Sequence, residues 1–227
     1  DPTVQDKISL VILNYNRPHN LVKNLPYFSK MGILKEILVG HTGKKAYRDF
    51  KHPKVLNFED YKLETPYGPA IRWERAMSAT SNIILFMDDD ILHNEDLIHE
   101  MYQHLIRNPD RNTVYGTVPR GCDATGYKMG GKGAVLTPIM MMKKSVLSDY
   151  LKHGWPKFEP WMLKYRGNGE DLSMNIFIRN YYNDTSVFVA PNGRFEHLDK
   201  KQGVSYMPGH RDSRVRFCQL YANVTFD

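Results

Sequence analysis

Cysteine is scarce in this chain of 227 residues: there are two, Cys122 and Cys218, so at most one internal disulfide can form. That excludes a disulfide-stapled scaffold, and the lack of CxxC pairs excludes the common structural zinc sites. Long apolar runs are missing too. The longest, such as Ile83 to Met87, fall far short of the ~20 residues a membrane helix needs, so no membrane span is expected within the chain. Internal repeats, low-complexity tracts and Pro/Gly/Ser-rich linkers are also lacking, which argues for a single domain over residues 1–227. Charge is not lopsided: 31 Lys+Arg against 25 Asp+Glu leave a formal +6. The basic residues are scattered among acids rather than interleaved with aromatics on one face, so a nucleic-acid partner is not expected. With 41% apolar and 25% charged residues, the composition is that of a globular protein able to bury a proper core.

What is present begins with Lys7-Ile-Ser-Leu-Val-Ile-Leu13, a near-continuous apolar run that suits a strand buried on both faces of a parallel sheet. Pro18 then opens a helix with Leu21, Leu25 and Phe28 at helical spacing, and Lys35 to Val39 reads as a second strand. This is a βαβ unit. The pattern predicts a helix over 69–80, a third strand over 82–87 running into Asp88-Asp89-Asp90, and a helix over 95–107. The second half is looser. Strands are expected over 113–118 and 134–142, on either side of a Gly-rich loop, 121–133, that reads as mobile rather than packed. A helix over 171–180, a strand over 185–190 and a basic, then amphipathic tail from His210 complete the reading. An α/β nucleotide-binding half, about 1–112, precedes an acceptor-binding half, about 113–227.

Three adjacent carboxylates repel one another, so Asp88-Asp89-Asp90 at a buried strand end needs compensation. In open α/β sheets ligands bind beyond the carboxyl ends of the strands, where this triplet falls. A divalent cation relieves the repulsion, and hard oxygen ligands suit Mg2+ or Mn2+. The plainer alternative is a solvated acidic turn leading to the helix near Glu95. A second pair, Glu170-Asp171, opens a helix; simple N-terminal capping competes there with a role as general base or charge stabiliser. Together the two motifs describe a metal-dependent transfer from a nucleotide diphosphate.

The ordered motifs resemble the GT-A glycosyltransferases and, within them, the exostosin-like family, glycosyltransferase family 64. Asn14-Tyr-Asn-Arg17 is similar to the family's TYNR segment. Arg72 matches an arginine upstream of the acidic motif, and Tyr115-Gly-Thr-Val-Pro-Arg120 resembles GFVPR. Gly169-Glu-Asp-Leu-Ser-Met-Asn175 resembles CEDIAMN, and Gly203 to Cys218 resembles the closing block. The resemblance implies a GT-A fold, a Rossmann-like mixed sheet flanked by helices. It also implies transfer of an N-acetylhexosamine, or of a pentose or hexose such as xylose, from a UDP-sugar to an oligosaccharide or glycoconjugate acceptor, with Mn2+ or Mg2+. Asn14, Arg17 and Arg72 would meet the nucleotide, Asp88 the ribose and Asp89 the donor sugar. Asp90, with Asp88, would hold the metal; Asp171 would face the anomeric carbon, and Glu170 would orient the acceptor. Arg211 or Arg214 would contact the diphosphate, with Arg216 a third candidate.

Departures from the family pattern matter. An asparagine that reads the base is replaced by Gly40-His41-Thr42, and the cysteine before Glu170 is Gly169, so Cys218 loses its family partner. The missing cysteine favours a reducing, cytoplasmic compartment, against which the sequons at Asn183 and Asn223 argue weakly. A Cys122–Cys218 bridge stays open. His197 reads as a surface or hydrogen-bonded histidine ahead of a late metal ligand, and Met140-Met141-Met142 as core filling. Trp155 or Trp161 could stack on an acceptor sugar or simply pack. Two other classes compete with the transferase. A sugar-phosphate nucleotidyltransferase would show a Gly-rich phosphate loop after the first strand, which Asn14 to Pro18 lacks. The other is a non-catalytic carbohydrate-binding module.

Overall fold

The computed structural model describes residues 8–191, 195–200 and 208–226, with the backbone alone for 63–65. Lys7 and Gly203 to Met207 of the motifs above lie outside the described residues. The front half runs β1 (Ile8–Asn14), α1 (Pro18–Ser29), β2 (Leu34–His41), β3 (Val55–Glu59) and α2 (Tyr61–Tyr67). A 3-10 turn, Gly68–Ala70, then leads to α3 (Ile71–Met77), β4 (Ile83–Met87), β5 (Ile91–His93) and α4 (Glu95–Arg107). The back half runs β6 (Val114–Gly116), β7 (Pro119–Asp123), β8 (Gly126–Met129), β9 (Ala134–Val135), β10 (Ile139–Lys143) and α5 (Lys144–Asp149). A π turn, Tyr150–Gly154, joins α5 to α6 (Trp155–Lys164). The chain closes with α7 (Glu170–Tyr181), β11 (Val187–Phe188), β12 (Phe195–His197) and α8 (His210–Tyr221).

Seven strands form one mixed sheet in the order β11-β6-β10-β4-β1-β2-β3. β3, β2, β1 and β4 run parallel, and β10 pairs antiparallel with both β4 and β6. Alternation along the strands separates two cores. Val11, Ile84, Phe86, Met140 and Met142 face α3, α5, α6, α7 and α8, whereas Leu10, Ile12, Leu85 and Met141 face α1 and α4. The three consecutive methionines are core filling, shared between both faces of β10. α4 starts cleanly because the Asn94 side chain accepts from Leu97 N at 3.1 Å, with Glu95 and Asp96 in the first turn favouring the positive end of the helix.

Three expectations change. The segment 121–133 is not a mobile loop: β7 and β8 form a hairpin, with Asp123 accepting from Thr125 N at 2.8 Å across its turn. The expected strand over 134–142 divides into β9 and β10, since Pro138 has no N–H to give a ladder. The expected helix over 69–80 begins with a 3-10 turn and ends at Met77. In addition, Cys218 has a partner, for it is disulfide-bonded to Cys122 with a Cα–Cα distance of 5.2 Å, which removes the argument drawn from an orphan cysteine. Asn183 and Asn223 are both exposed. Among the described residues no helix is long and apolar enough to cross a membrane.

Candidate active site

The strand order changes direction beside β1, with β2 and β3 on one side and β4 on the other. Ile12 pairs with Met87, so the β1–α1 turn and the acidic triplet leave the sheet side by side, at the switch point where open α/β sheets bind ligands. A cleft of about 610 Å³ opens there, within the range of small-molecule binding sites. It is lined from the first half of the chain by Tyr15, Arg17, Thr42, Arg72 and Asp88 to Asp90, and from the second half by Arg120, Tyr127, Glu170, Asp171, Arg211 and Arg214.

Each carboxylate has an arginine. Arg17, at the start of α1, grips Asp89 through Nε (3.2 Å) and Nη2 and donates from Nη1 to Asp90 at 3.0 Å. Its Nη1 also reaches the Asp199 carbonyl at 3.3 Å, and Asn24 donates to the Asp89 carbonyl at 3.0 Å. Arg72 donates from both Nη atoms to Asp88 Oδ1 at 3.3 Å, and its Nη2 lies 3.7 Å from Glu170 Oε1. One guanidinium therefore ties the triplet to the pair at the start of α7. Arg214 donates to Asp171 Oδ1 at 2.6 Å, and that oxygen also accepts from Leu172 N at 2.8 Å.

Desolvation sets the electrostatics. Burial pushes the Asp89 carboxyl up to about 7 against the pull of Arg17, with Asp90 and Asp88 adding to the rise. Asp88 is raised for the same reason, opposed by Arg72. Burial raises Glu170 to about 7, and Asp171 beside it pushes the same way. Arg72 and Arg214 lose to burial but gain more from their carboxylates, so both are held charged.

Two backbone crossings hold this floor together. Gly68 (φ +54°) passes so close to the Arg166 carbonyl that a Cβ would sit 2.0 Å from its oxygen. Gly167 (φ +77°) passes equally close to the Tyr67 carbonyl. The reciprocal clasp pins the approach to α3, which carries Arg72, against the turn that delivers Glu170 and Asp171. Gly169, where the resemblance led to cysteine, adopts φ +104° at the N-terminus of α7, with the Phe217 ring 3.3 Å from any added Cβ.

Of the sequence candidates, Arg17, Arg72, Asp88, Asp89, Asp90, Glu170, Asp171, Arg211 and Arg214 line the cleft. Asn14 does not. It is fully buried beneath it, its Nδ2 bonded to His41 Nδ1 (3.1 Å) and to the Lys45 carbonyl (2.8 Å), its Oδ1 accepting from Arg17 N at 3.3 Å. His41 completes that layer through Asn57 at 2.8 Å, so both ring nitrogens are engaged and Thr42 is the residue of the Gly40-His41-Thr42 segment that reaches the cleft. His197 lines the cleft from β12, paired across from Ile91 just past the triplet. Trp161 is buried and bonded to the Asn168 carbonyl, so it packs. Sequence reasoning missed Tyr127, Asn168 and Lys200. Tyr127 had a signal in the alternating Gly126-Tyr-Lys-Met129, masked by the surrounding glycines; Asn168 and Lys200 had none.

A divalent cation suits these donors. Among the described residues no three His, Cys, Asp or Glu side chains converge to hold an ion by themselves. Asp88 and Asp90 each give one oxygen to an arginine and, among the described residues, keep the other free, so diphosphate oxygens and water would complete an oxygen shell, as Mg2+ and Mn2+ prefer.

Two solved structures share this architecture. One is a mannosyltransferase from Pyrobaculum calidifontis in complex with GDP-Man and Mn2+. It matches with a TM-score of 0.65 at 16% identity, over 100% of this chain and 67% of that one. The other is glucosyl-3-phosphoglycerate synthase from Mycobacterium tuberculosis, in complex with phosphoglyceric acid. Its TM-score is 0.62 at 16% identity, over 98% of this chain and 81% of that one. No curated protein sequence matches significantly. The fold is that of the GT-A glycosyltransferases, and the match of residues 8–225 to the glycosyl transferase family 64 domain shows that the chain belongs to that family.

Proposed function

We propose that the protein is a metal-dependent glycosyltransferase that moves a sugar from a UDP-sugar to a hydroxyl of an oligosaccharide or glycoconjugate. Family membership sets aside the nucleotidyltransferase and the non-catalytic module. The observation that carries the reading is the Arg72 bridge, which joins Asp88 of the nucleotide side to Glu170 of the acceptor side within one cleft. Asp90 and Asp88 would hold Mn2+ or Mg2+, which supplies charge to offset the departing diphosphate. Arg17 fixes Asp89 against the donor sugar. Asp171, oriented by Leu172 N and Arg214, faces the reacting carbon and the acceptor hydroxyl, and Glu170 orients the acceptor.

Thermal melting with UDP, with and without Mn2+, tests the donor class. Stabilisation by UDP that needs the metal is expected. GDP is the comparison that matters, because the similar mannosyltransferase was solved with GDP-Man and the base-facing segment departs from the family. Stabilisation by GDP but not UDP would move the donor class to GDP-sugars. A hydrolysis screen over UDP- and GDP-sugars identifies the sugar. Asp171→Asn should abolish transfer while UDP affinity stays within about twofold; surviving transfer removes Asp171 from the chemistry.

A further inference from the structure

Two late arginines line the cleft, and their surroundings differ. Arg214 is buried, with Nη2 on Asp171 at 2.6 Å, Nη1 at 3.5 Å from Asn168 Oδ1, and Nε without a hydrogen bond among the described residues. The ring of Tyr127 lies over its guanidinium, 5.0 Å from ring centroid to Cζ. The Tyr127 hydroxyl is turned to a different task, accepting from Arg120 Nε at 3.0 Å. Arg211, one turn earlier on α8, is exposed and has no hydrogen-bond or ion-pair partner among the described residues.

A guanidinium can be held by its edge and by its face. Asp171 and Asn168 take the edge of Arg214, and Tyr127 covers a face, so its plane is fixed and its charge is already matched. Moving it to a diphosphate would leave Asp171 buried without its cation, a costly exchange. Arg211 carries no such debt. The platform behind Tyr127 is rigid: Cys122 of β7 is bonded to Cys218 of α8, and Gly126 packs on Val215, whose Cγ1 lies 3.0 Å from any added Cβ.

We propose that Arg214 and Tyr127 are positioning residues for Asp171, and that Arg211 supplies the diphosphate contact. This rests on the catalytic reading of Asp171 given above. UDP titration in the presence of Mn2+ separates the two arginines without any turnover. Arg211→Gln should weaken UDP about tenfold, as loss of a charge-assisted bond does, while Arg214→Gln leaves the affinity within about twofold. Equal weakening in both, or weakening in Arg214→Gln alone, overturns the division.

Release of UDP from the screened UDP-sugars tests Tyr127. Tyr127→Leu should lower kcat about tenfold with KM for the donor unchanged, and Phe at 127 should restore most of that loss because it keeps the ring face. Wild-type kcat in Tyr127→Leu overturns the role of the ring, as does a Phe variant no better than Leu. Metal-dependent UDP binding in each variant confirms that it has folded. If Asp171→Asn keeps its turnover, the catalytic reading fails, and if no UDP-sugar is turned over, the donor class fails. In the first case the arginine titration still decides its own half, and in the second it does so with whichever of UDP and GDP binds in the presence of Mn2+.

Discussion

Glu170 sits 5% exposed at the start of α7, with Asp171 beside it and Arg72 at 3.7 Å, and burial holds its carboxyl up at about 7. A carboxyl raised on folding binds more protons in the native state than in the unfolded one between its ordinary value, near 4.5, and 7. Native stability therefore falls as pH rises through that window, and above 7 the charged group is a standing cost. Glutamine keeps the shape and removes the charge. In metal- and nucleotide-free protein, Glu170→Gln should be more stable than wild type at pH 8 by roughly 1–3 kcal/mol, and about equal to it at pH 4.5. Urea unfolding at the two pH values measures this; a difference that does not change with pH would show that Glu170 is not raised. Asp89 is held up by burial as well, but it is common to both proteins and cancels in the comparison.

Gly68 and Gly167 work as an element, since each occupies the space that a side chain on the other loop's path would need. Both clashes are with backbone carbonyls, at 2.0 Å, and a carbonyl fixed in the crossing cannot swing aside as a side-chain tip could. Gly130 gives the reference: its φ is +71°, yet an added Cβ meets nothing within 4 Å. Gly130→Ala should cost only the left-handed backbone penalty, about 1–2 kcal/mol, whereas Gly167→Ala should cost clearly more and weaken metal-dependent UDP binding. Equal costs in the two variants would mean that the crossing holds nothing. The same scale explains what could be read in advance. β1 and β4 were legible because strands buried on both faces must be apolar throughout, and the triplet stood out by following such a strand. The hairpin was not, for Arg120-Gly-Cys-Asp123 has little strand preference of its own and is held by its docking on α8. The carboxylates of the site could be picked out as motifs. Their partners could not be paired, because which arginine meets which acid depends on distant segments: Arg17 with Asp89, and Arg214 with Asp171.

Across the whole molecule, the bond between Cys122 and Cys218 joins positions 96 residues apart. It encloses β8, β10, α5, α6 and α7, hence most of the core on one face of the sheet together with Glu170 and Asp171. Closing a loop of that length restricts the unfolded chain, which in the chain-entropy view contributes about 4–5 kcal/mol. Both sulfurs are buried, so the folded protein protects the bond from reductant and the effect is best read in a variant. Cys122→Ala with Cys218→Ala should lower Tm by about 10 °C while leaving a cooperative transition. Thiol titration of denatured wild type should find no free cysteine. Two free thiols, or a double variant that melts with wild type, would remove the bond from the account of stability. The bond also spans the two supports of Arg214, since Tyr127 follows β7 in the hairpin and Arg214 stands on α8. Cutting it should therefore reach the chemistry as well as the fold. Below the lowered melting temperature, the double variant should lose kcat in the manner of Tyr127→Leu, while UDP binding with Mn2+ weakens by no more than the roughly tenfold assigned to Arg211 on α8, because Arg17, Arg72 and the acidic triplet all lie outside the loop that the bond closes.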